Sequence, residues 1–305
     1  MRDVVEELIV ISGKGGTGKT SIVASLAALA PEPVLADCDV DAADLPLLLS
    51  PTIVHQEAFS GGSRAQIHPE RCTSCGQCLA VCRFEAIRRS GSGNGNANGF
   101  LRIDPTACEG CGVCAWVCPE GAIAFGPVTD GTLFISATRY GPMVHARLHV
   151  AAANSGKLVS QVRARARGIG ERQARRLTIV DGPPGVGCPV IAALTGGSLV
   201  LVVTEPTLSG EHDLLRVLQL TRHFAIPAAV CVNKWDLNPT VAARIEHAAV
   251  SSGATVASRV GYDRDVTRAQ VRLKTAVEWN GQAGAEIRRL WEDLRRIGGR
   301  YGMRL

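Results

Sequence analysis

The chain has 305 residues, a formal net charge of +5 and a hydrophobic fraction of 46%, which excludes a disordered polymer and provides length for two domains or one large one. The basic excess is small and dispersed, so by itself it does not imply a nucleic-acid partner. Two counts stand out: 11 cysteines, eight of them in two groups of four, and only five lysines among 33 basic residues.

Residues 1–7 are charged, and the apolar run 8–12 is too short for the core of a signal peptide and stops in glycines. No stretch reads as a transmembrane span. An odd number of cysteines, set at metal-ligand spacing, suits a reducing cytosol better than secretion, so a cytoplasmic protein is expected. Residues 4–11 (VVEELIVI) read as a buried strand and 20–30 as a helix, broken by Pro31 and Pro33. A brief strand at 34–36 then ends in acidic residues. Residues 66–127 hold the eight clustered cysteines around a low-complexity centre at 88–99 (RRSGSGNGNANG). Two β-like runs follow, at 132–137 and 144–150. Asn154-Ser155-Gly156-Lys157 leads into an arginine-rich helix at 159–176, whose default reading is a solvated face. Strands are expected at 177–180, 199–204 and 228–233, with a helix at 214–224. Near the C-terminus, Ile287, Leu290, Trp291, Leu294 and Ile297 share one helical face opposite Arg288, Arg289, Arg295 and Arg296, a stripe suited to packing on the sheet. Strand–helix alternation over 1–60 and 128–305 predicts a mostly parallel α/β sheet, interrupted by the cysteine-rich piece as a loop insertion. The expected domains are 1–65 and 128–305 for the α/β part and 66–127 for the insert.

Gly13-Lys14-Gly15-Gly16-Thr17-Gly18-Lys19-Thr20 fits the G-x-x-x-x-G-K-[ST] pattern and lies between a strand and a helix. The glycines let backbone N–H groups converge on phosphate oxygens at a helix N-terminus. Lys19 brings positive charge to the β/γ-phosphates, and the Thr20 hydroxyl is placed to ligate Mg²⁺. Residues 13–21, through Ser21, are therefore the candidate nucleotide loop. A plain glycine-rich turn would not need these flanking elements.

Cys72-x2-Cys75-x2-Cys78-x3-Cys82 and Cys108-x2-Cys111-x2-Cys114-x3-Cys118-Pro119 are two copies of the four-cysteine run of bacterial ferredoxins. In that run three cysteines hold one cube and the fourth reaches the neighbouring one. Cys72, Cys75, Cys78 and Cys118 are thus expected on one [4Fe–4S] cluster, and Cys82, Cys108, Cys111 and Cys114 on the other. Zinc would accept four cysteines, but tandem copies with the x3 spacing are more specific for iron–sulfur. Arg83 stands where the pattern has proline, and this removes no ligand. Ile87 and Ile123, at matching offsets, are expected in a shared core. Cys38 and Cys231 read as small buried hydrophobes.

The run K-G-G-T-G-K-T at 14–20 resembles the deviant Walker A loop of the MinD/ParA/Mrp class of P-loop ATPases. The resemblance extends to Asp37-Cys38-Asp39, NSGKLV at 154–159, DGPPGVGCP at 181–189 and TEPTLSGEHD at 204–213. It implies a MinD-like P-loop fold carrying an inserted α+β 2[4Fe–4S] ferredoxin domain. It further implies that Lys14 reaches the partner's phosphates in an ATP-bound homodimer. Asp39 would position or deprotonate the attacking water, Asp37 and Asp181 would sit at Mg²⁺, and the loop after Asp181 would respond to γ-phosphate loss. Asn233-Lys234-Trp235-Asp236 has the form of a guanine-reading motif, yet members of the class keep an asparagine at the position of Asn233 to meet adenine. ATP is expected on the strength of the Lys14 loop, with GTP the alternative. Cys188 matches a cluster ligand of the related nitrogenase iron protein, but the second cysteine of that site is missing near 154–157. The class implies metallocluster assembly or transfer for a client metalloprotein, or alternatively ATP-gated electron delivery to a redox partner. MinD proper touches membranes through a basic C-terminal helix. Here neither membrane contact nor nucleic-acid binding is expected.

Overall fold

The computed structural model describes residues 5–91, 99–149 and 155–305. Most of the low-complexity stretch, residues 92–98, lies outside them, as does Asn154. The chain begins β1 (Glu6–Ser12), α1 (Lys19–Leu29), β2 (Val34–Asp37), α2 (Leu45–Leu49) and β3 (Thr52–Phe59). The cysteine-rich part contains β4 (Gly62–Ile67), α3 (Gln77–Val81), β5 (Ile87–Ser90), β6 (Phe100–Ile103), α4 (Val113–Trp116) and β7 (Ile123–Val128). Then come β8 (Gly131–Ala137), β9 (Pro142–Leu148), α5 (Ser155–Arg172), β10 (Leu177–Pro184), α6 (Cys188–Leu194), β11 (Leu199–Thr204), α7 (Leu208–His223) and β12 (Ala228–Val232). The chain ends with α8 (Pro239–Ser251), β13 (Thr255–Val256), α9 (Arg264–Val271), α10 (Ala276–Trp279) and α11 (Gln282–Arg300). Two compact units result. One is formed by the described parts of 1–57, 133–147 and 155–305, the other by those of 58–132 and 148–154.

The larger unit is built on a sheet ordered β13-β12-β11-β1-β10-β2-β9-β8-β3. β1 runs parallel to both neighbours, β10 and β11, and β12, β13, β2 and β9 continue the parallel ladder. A parallel strand covered on both faces is apolar along its length, and β1 and β11 are buried accordingly. β3 had no alternating pattern to announce it. It is an edge strand, exposed over most of its length and carrying His55, Gln56 and Glu57. The stripe on α11 packs as its spacing predicts. Ile287, Leu290, Trp291, Leu294 and Ile297 join α1's Ile22 and Leu26 in one core, each burial stabilising by about 1.5–3 kcal/mol. No described helix is long and apolar enough to cross a membrane.

Three boundaries differ from expectation for local reasons. α5 starts four residues before the expected 159 and stops at Arg172, because Ala174 turns left-handed (φ 53°) and ends the helix. β10 runs on to Pro184. α7 starts at Leu208 because the Thr207 hydroxyl accepts from Gly210 N at 3.0 Å and caps it. The solvated reading of the arginine helix is also incomplete. Arg163 is buried, contacts Glu7 of β1, and donates to the carbonyls of Ala192 and Thr195 at 2.8 Å each.

Between β8 and β9, His145 stacks on Phe134 and shares a 2.9 Å hydrogen bond with Ser136. Burial, reinforced by the Arg147 charge, pushes its pKa down to about 4. The fold therefore favours the neutral ring. The stability this contributes is complete above the unfolded value near 6.5 and is lost as pH falls toward 4. Thermal unfolding followed from pH 7 to pH 4.5 is expected to show a steeper loss of Tm in the parent protein than in His145→Gln, whose amide does not titrate.

In the smaller unit, β4 pairs antiparallel with β7 and β5 with β6. Each half of the pseudo-repeat supplies a short helix entered through a left-handed glycine, Gly76 (φ 85°) or Gly112 (φ 75°). Ile87 and Ile123 meet in one small core with Ala65, Cys78 and Leu101. This unit is wider than the stretch 66–127 because the β4–β7 ladder runs from Gly62↔Val128 inward. Asp130 closes it, accepting from the N–H groups of Gly61 and Gly62 at 3.0 and 3.1 Å.

Candidate functional site

The loop 13–18 leaves the end of β1 in mid-sheet and turns directly into α1, so the first N–H groups of that helix face its mouth. Two features make glycine necessary. Gly18 is left-handed (φ 87°), and a Cβ there would lie 2.4 Å from Asn233 Nδ2; at Gly13 a Cβ would lie 2.4 Å from that of Asp213. Asn233 Nδ2 donates to Thr17 O at 2.7 Å and Lys234 Nζ to Gly16 O at 3.0 Å, so this pair buttresses the loop from outside. Asp236, the base-reading position of the tetrad, accepts from Tyr262 N at 2.6 Å. Thr20 is half-buried, and the Ser21 hydroxyl accepts from Gln270 Nε2 at 2.6 Å.

Asp37 and Asp181 are register partners at the ends of adjacent strands, and both are fully buried. Lys19 is buried with them, contacting Asp181 and lying 3.6 Å from Asp39. Burial lowers the Lys19 pKa, but Asp181 and then Asp39 outweigh it and the net shift is upward. Burial, with the Asp181 charge adding, drives the Asp37 carboxyl well above the usual range. Burial also pushes Asp39 up to about 6, with Lys19 opposing and Asp181 adding. Three carboxyl groups thus share the neighbourhood of one ammonium. Asp181 Oδ2 and Thr17 Oγ1 are buried without a hydrogen-bond partner among the described residues. This donor set fits Mg²⁺, which keeps several waters and takes one or two carboxylates plus phosphate oxygens.

Lys14 points elsewhere. Its ammonium lies 2.6 Å from Glu205 Oε1 and donates to Thr207 Oγ1 at 3.2 Å and Ser209 Oγ at 3.0 Å. Lys234 takes the other Glu205 oxygen at 3.3 Å. Partial burial pushes the Glu205 carboxyl up, but the two lysines outweigh it and hold it below the ordinary range. The segment TEPTLSGEHD at 204–213 contains Glu205, but its pairing was not legible there, because its partners come from distant parts of the chain. Cys38 and Cys231 are buried as expected, and burial raises both thiols. Cys188 is exposed at the first residue of α6.

In the smaller unit, the structure brings the eight cysteines together in two sets. Cys82, Cys108, Cys111 and Cys114 line one small cavity; Cys72, Cys75, Cys78 and Cys118 line another. These are the crossed quartets expected from the spacing. Four thiols around each space are a donor set that fits a [4Fe–4S] cluster. The two rims differ at pseudo-equivalent positions. Val113 and Phe84 border the first cavity where Gln77 and Glu120 border the second. Trp116, on the same helix as Val113, is 87% exposed.

The 4Fe-4S dicluster domain family matches residues 71–122. Over its length the chain is similar to the MinD septum site-determining protein of Pyrococcus horikoshii complexed with Mg-ADP, with a TM-score of 0.57, 14% identity, and 97% of this chain and 98% of that one covered. The MinD cell division protein of Aquifex aeolicus superposes with a TM-score of 0.56 at 17% identity, covering 97% of each chain. The fold is therefore that of the MinD/ParA class of P-loop ATPases, with an iron–sulfur dicluster domain set into it. Within that class, the chain belongs to the family of the uncharacterized protein MJ0578 of Methanocaldococcus jannaschii, to which it is 31% identical over 96% of its own length and 97% of the relative's.

Proposed function

We propose that this chain is an ATPase that works as a homodimer and couples ATP binding and hydrolysis to metallocluster assembly or transfer for a client protein. The observation that carries the reading is the presence in one chain of a phosphate loop backed by Lys19, Asp39 and Asp181 and of two cysteine quartets, each around its own cavity. On this reading the cluster domain 66–127 extends through its flanking strand residues over 58–132, and the ATPase part comprises what remains of 1–65 and 128–305. Backbone N–H groups of residues 13–21 cradle the phosphates, and Lys19 pairs with them when Asp181 turns to the metal. Thr20, Asp37 and Asp181 hold Mg²⁺ directly or through water, and Asp39 orients the attacking water. Asn233 fixes the loop at Thr17 and borders the adenine. Lys14 serves the partner's phosphates across the dimer. When bound, the two [4Fe–4S] clusters supply one-electron storage and transferable iron and sulfide.

A second reading, ATP-gated electron delivery, is favoured by one feature. In each run the third cysteine, on α3 or α4, goes to one quartet and the fourth, four residues on and just past the helix, goes to the other, so the two sites are close neighbours. Anaerobic incubation of iron-loaded protein with an apo-dehydratase that needs a [4Fe–4S] cluster separates the two readings. MgATP-dependent loss of iron with gain of dehydratase activity supports transfer. Retained iron, with MgATP-accelerated reoxidation of the dithionite-reduced protein by benzyl viologen, supports electron delivery. If MgATP changes neither, the coupling is refuted.

A further inference from the structure

We propose that Glu205 is a latch that keeps Lys14 retracted on its own subunit until ATP draws it away. The inference rests on the role given to Lys14 above and adds the regulation of that site. Lys14 belongs to the phosphate loop, yet every polar contact recorded for its ammonium lies on the segment after β11: Glu205, Thr207 and Ser209. A lysine held there is not offered to a phosphate, so using it requires breaking a 2.6 Å ion pair and two hydroxyl contacts.

The arrangement is suited to release. Glu205 Oε2 also faces Lys234, so when Lys14 departs the carboxylate keeps a cation and no buried charge is stranded. Thr207 and Ser209 are neutral, the first half-buried and the second exposed. Lys234 simultaneously donates to Gly16 O, so the same three-residue ion cluster touches the phosphate loop at two points. A terminal phosphate carries more negative charge than one carboxylate and competes for the same ammonium, whereas a nucleotide lacking it competes less. Glu205 is a positioning residue in this scheme, since it acts through Lys14. Because the pair is partly exposed, the latch is modest: about three- to tenfold in the equilibrium between retracted and released Lys14.

The scarcity of lysine makes the test readable, since trace amine acetylation of the full chain followed by peptide mass analysis reports only five side chains. Lys274 is exposed and serves as the internal reference. In nucleotide-free protein Lys14 is expected to react several-fold more slowly than Lys274. In Glu205→Gln it should react at least about threefold faster than in the parent, with Lys274 unchanged, while Glu205→Asp keeps most of the protection. In parallel, Glu205→Gln is expected to reach half-maximal ATP turnover at a chain concentration about three- to tenfold lower. Equal Lys14 labelling in the parent and Glu205→Gln overturns the latch whatever the turnover. Faster labelling with an unchanged concentration dependence overturns its regulatory role. A parent protein that hydrolyses no ATP refutes the ATPase reading instead, and labelling still reports whether Glu205 holds Lys14.

Discussion

Replacing Lys14 by alanine is expected to abolish ATP hydrolysis, by at least about a hundredfold, while iron stays near eight atoms per chain, the number that two [4Fe–4S] clusters require. The structural reason to expect a clean variant is local. Lys14 is partly exposed and its partner Glu205 retains Lys234, so truncation leaves the fold intact and the Tm within a few degrees. Lys19→Ala is expected to behave differently. It leaves Asp37, Asp39 and Asp181 crowded at the strand ends without their cation, and it should destabilise the nucleotide-free chain by about 3–5 kcal/mol. Phosphate release, iron analysis and thermal unfolding on the three proteins decide the matter. Normal turnover in Lys14→Ala would remove the deviant-loop assignment.

The second large effect concerns the crossing of the quartets. Cys118→Ala is expected to lose one cluster, about four irons, and so is Cys82→Ala, but from opposite sites. Cys118 lines its cavity with Cys72, Cys75 and Cys78, although its nearest cysteine in the sequence is Cys114. The double variant Cys75→Ala/Cys118→Ala should therefore retain about four irons, because both changes strike one site. Cys111→Ala/Cys118→Ala should retain almost none, because they strike two. Iron and sulfide determination, with the EPR signal of the dithionite-reduced protein, reads the outcome. If Cys118 pairs in effect with Cys111 instead of Cys75, the crossed assignment fails.

Much of this was legible in the amino-acid order because the decisive signals are short. A glycine loop between a strand and a helix needs only eight consecutive residues. A ferredoxin half needs eleven. The stripe on α11 follows from helical spacing alone. Less visible was anything that depends on the sheet edge or on partners from afar. β3 is an edge that mixes exposed Ile53 and Val54 with His55, Gln56 and Glu57, and such a strand has no apolar period to read. Arg163 looked like one more exposed arginine in a row of them, and only its position over Glu7 and the end of α6 made it a buried tie. The insert reached beyond its cysteines because β4 and β7 are joined by hydrogen bonds that leave no mark on residue type.

The sequence by itself determined the class of fold and marked the candidate phosphate loop, the eight candidate cluster ligands and their expected grouping. Each is written in local spacing, which fixes which groups can approach one small ligand. Only the tertiary structure decided where charges go once the chain is closed. Asp37 and Asp181 become a buried pair through parallel strand register, and Lys19 is drawn to Asp181. Lys14 lies against Glu205, which reaches it from the end of β11, ten strands later in the chain but adjacent to β1 in the sheet. Coulombic and hydrogen-bonded neighbours are set by distance in space, and in a parallel sheet the strands that meet are separated in sequence by whole crossovers. The five lysines that first drew notice illustrate the division. Two of them marked the candidate nucleotide loop from the start, and the fold set one of these, Lys14, against Glu205.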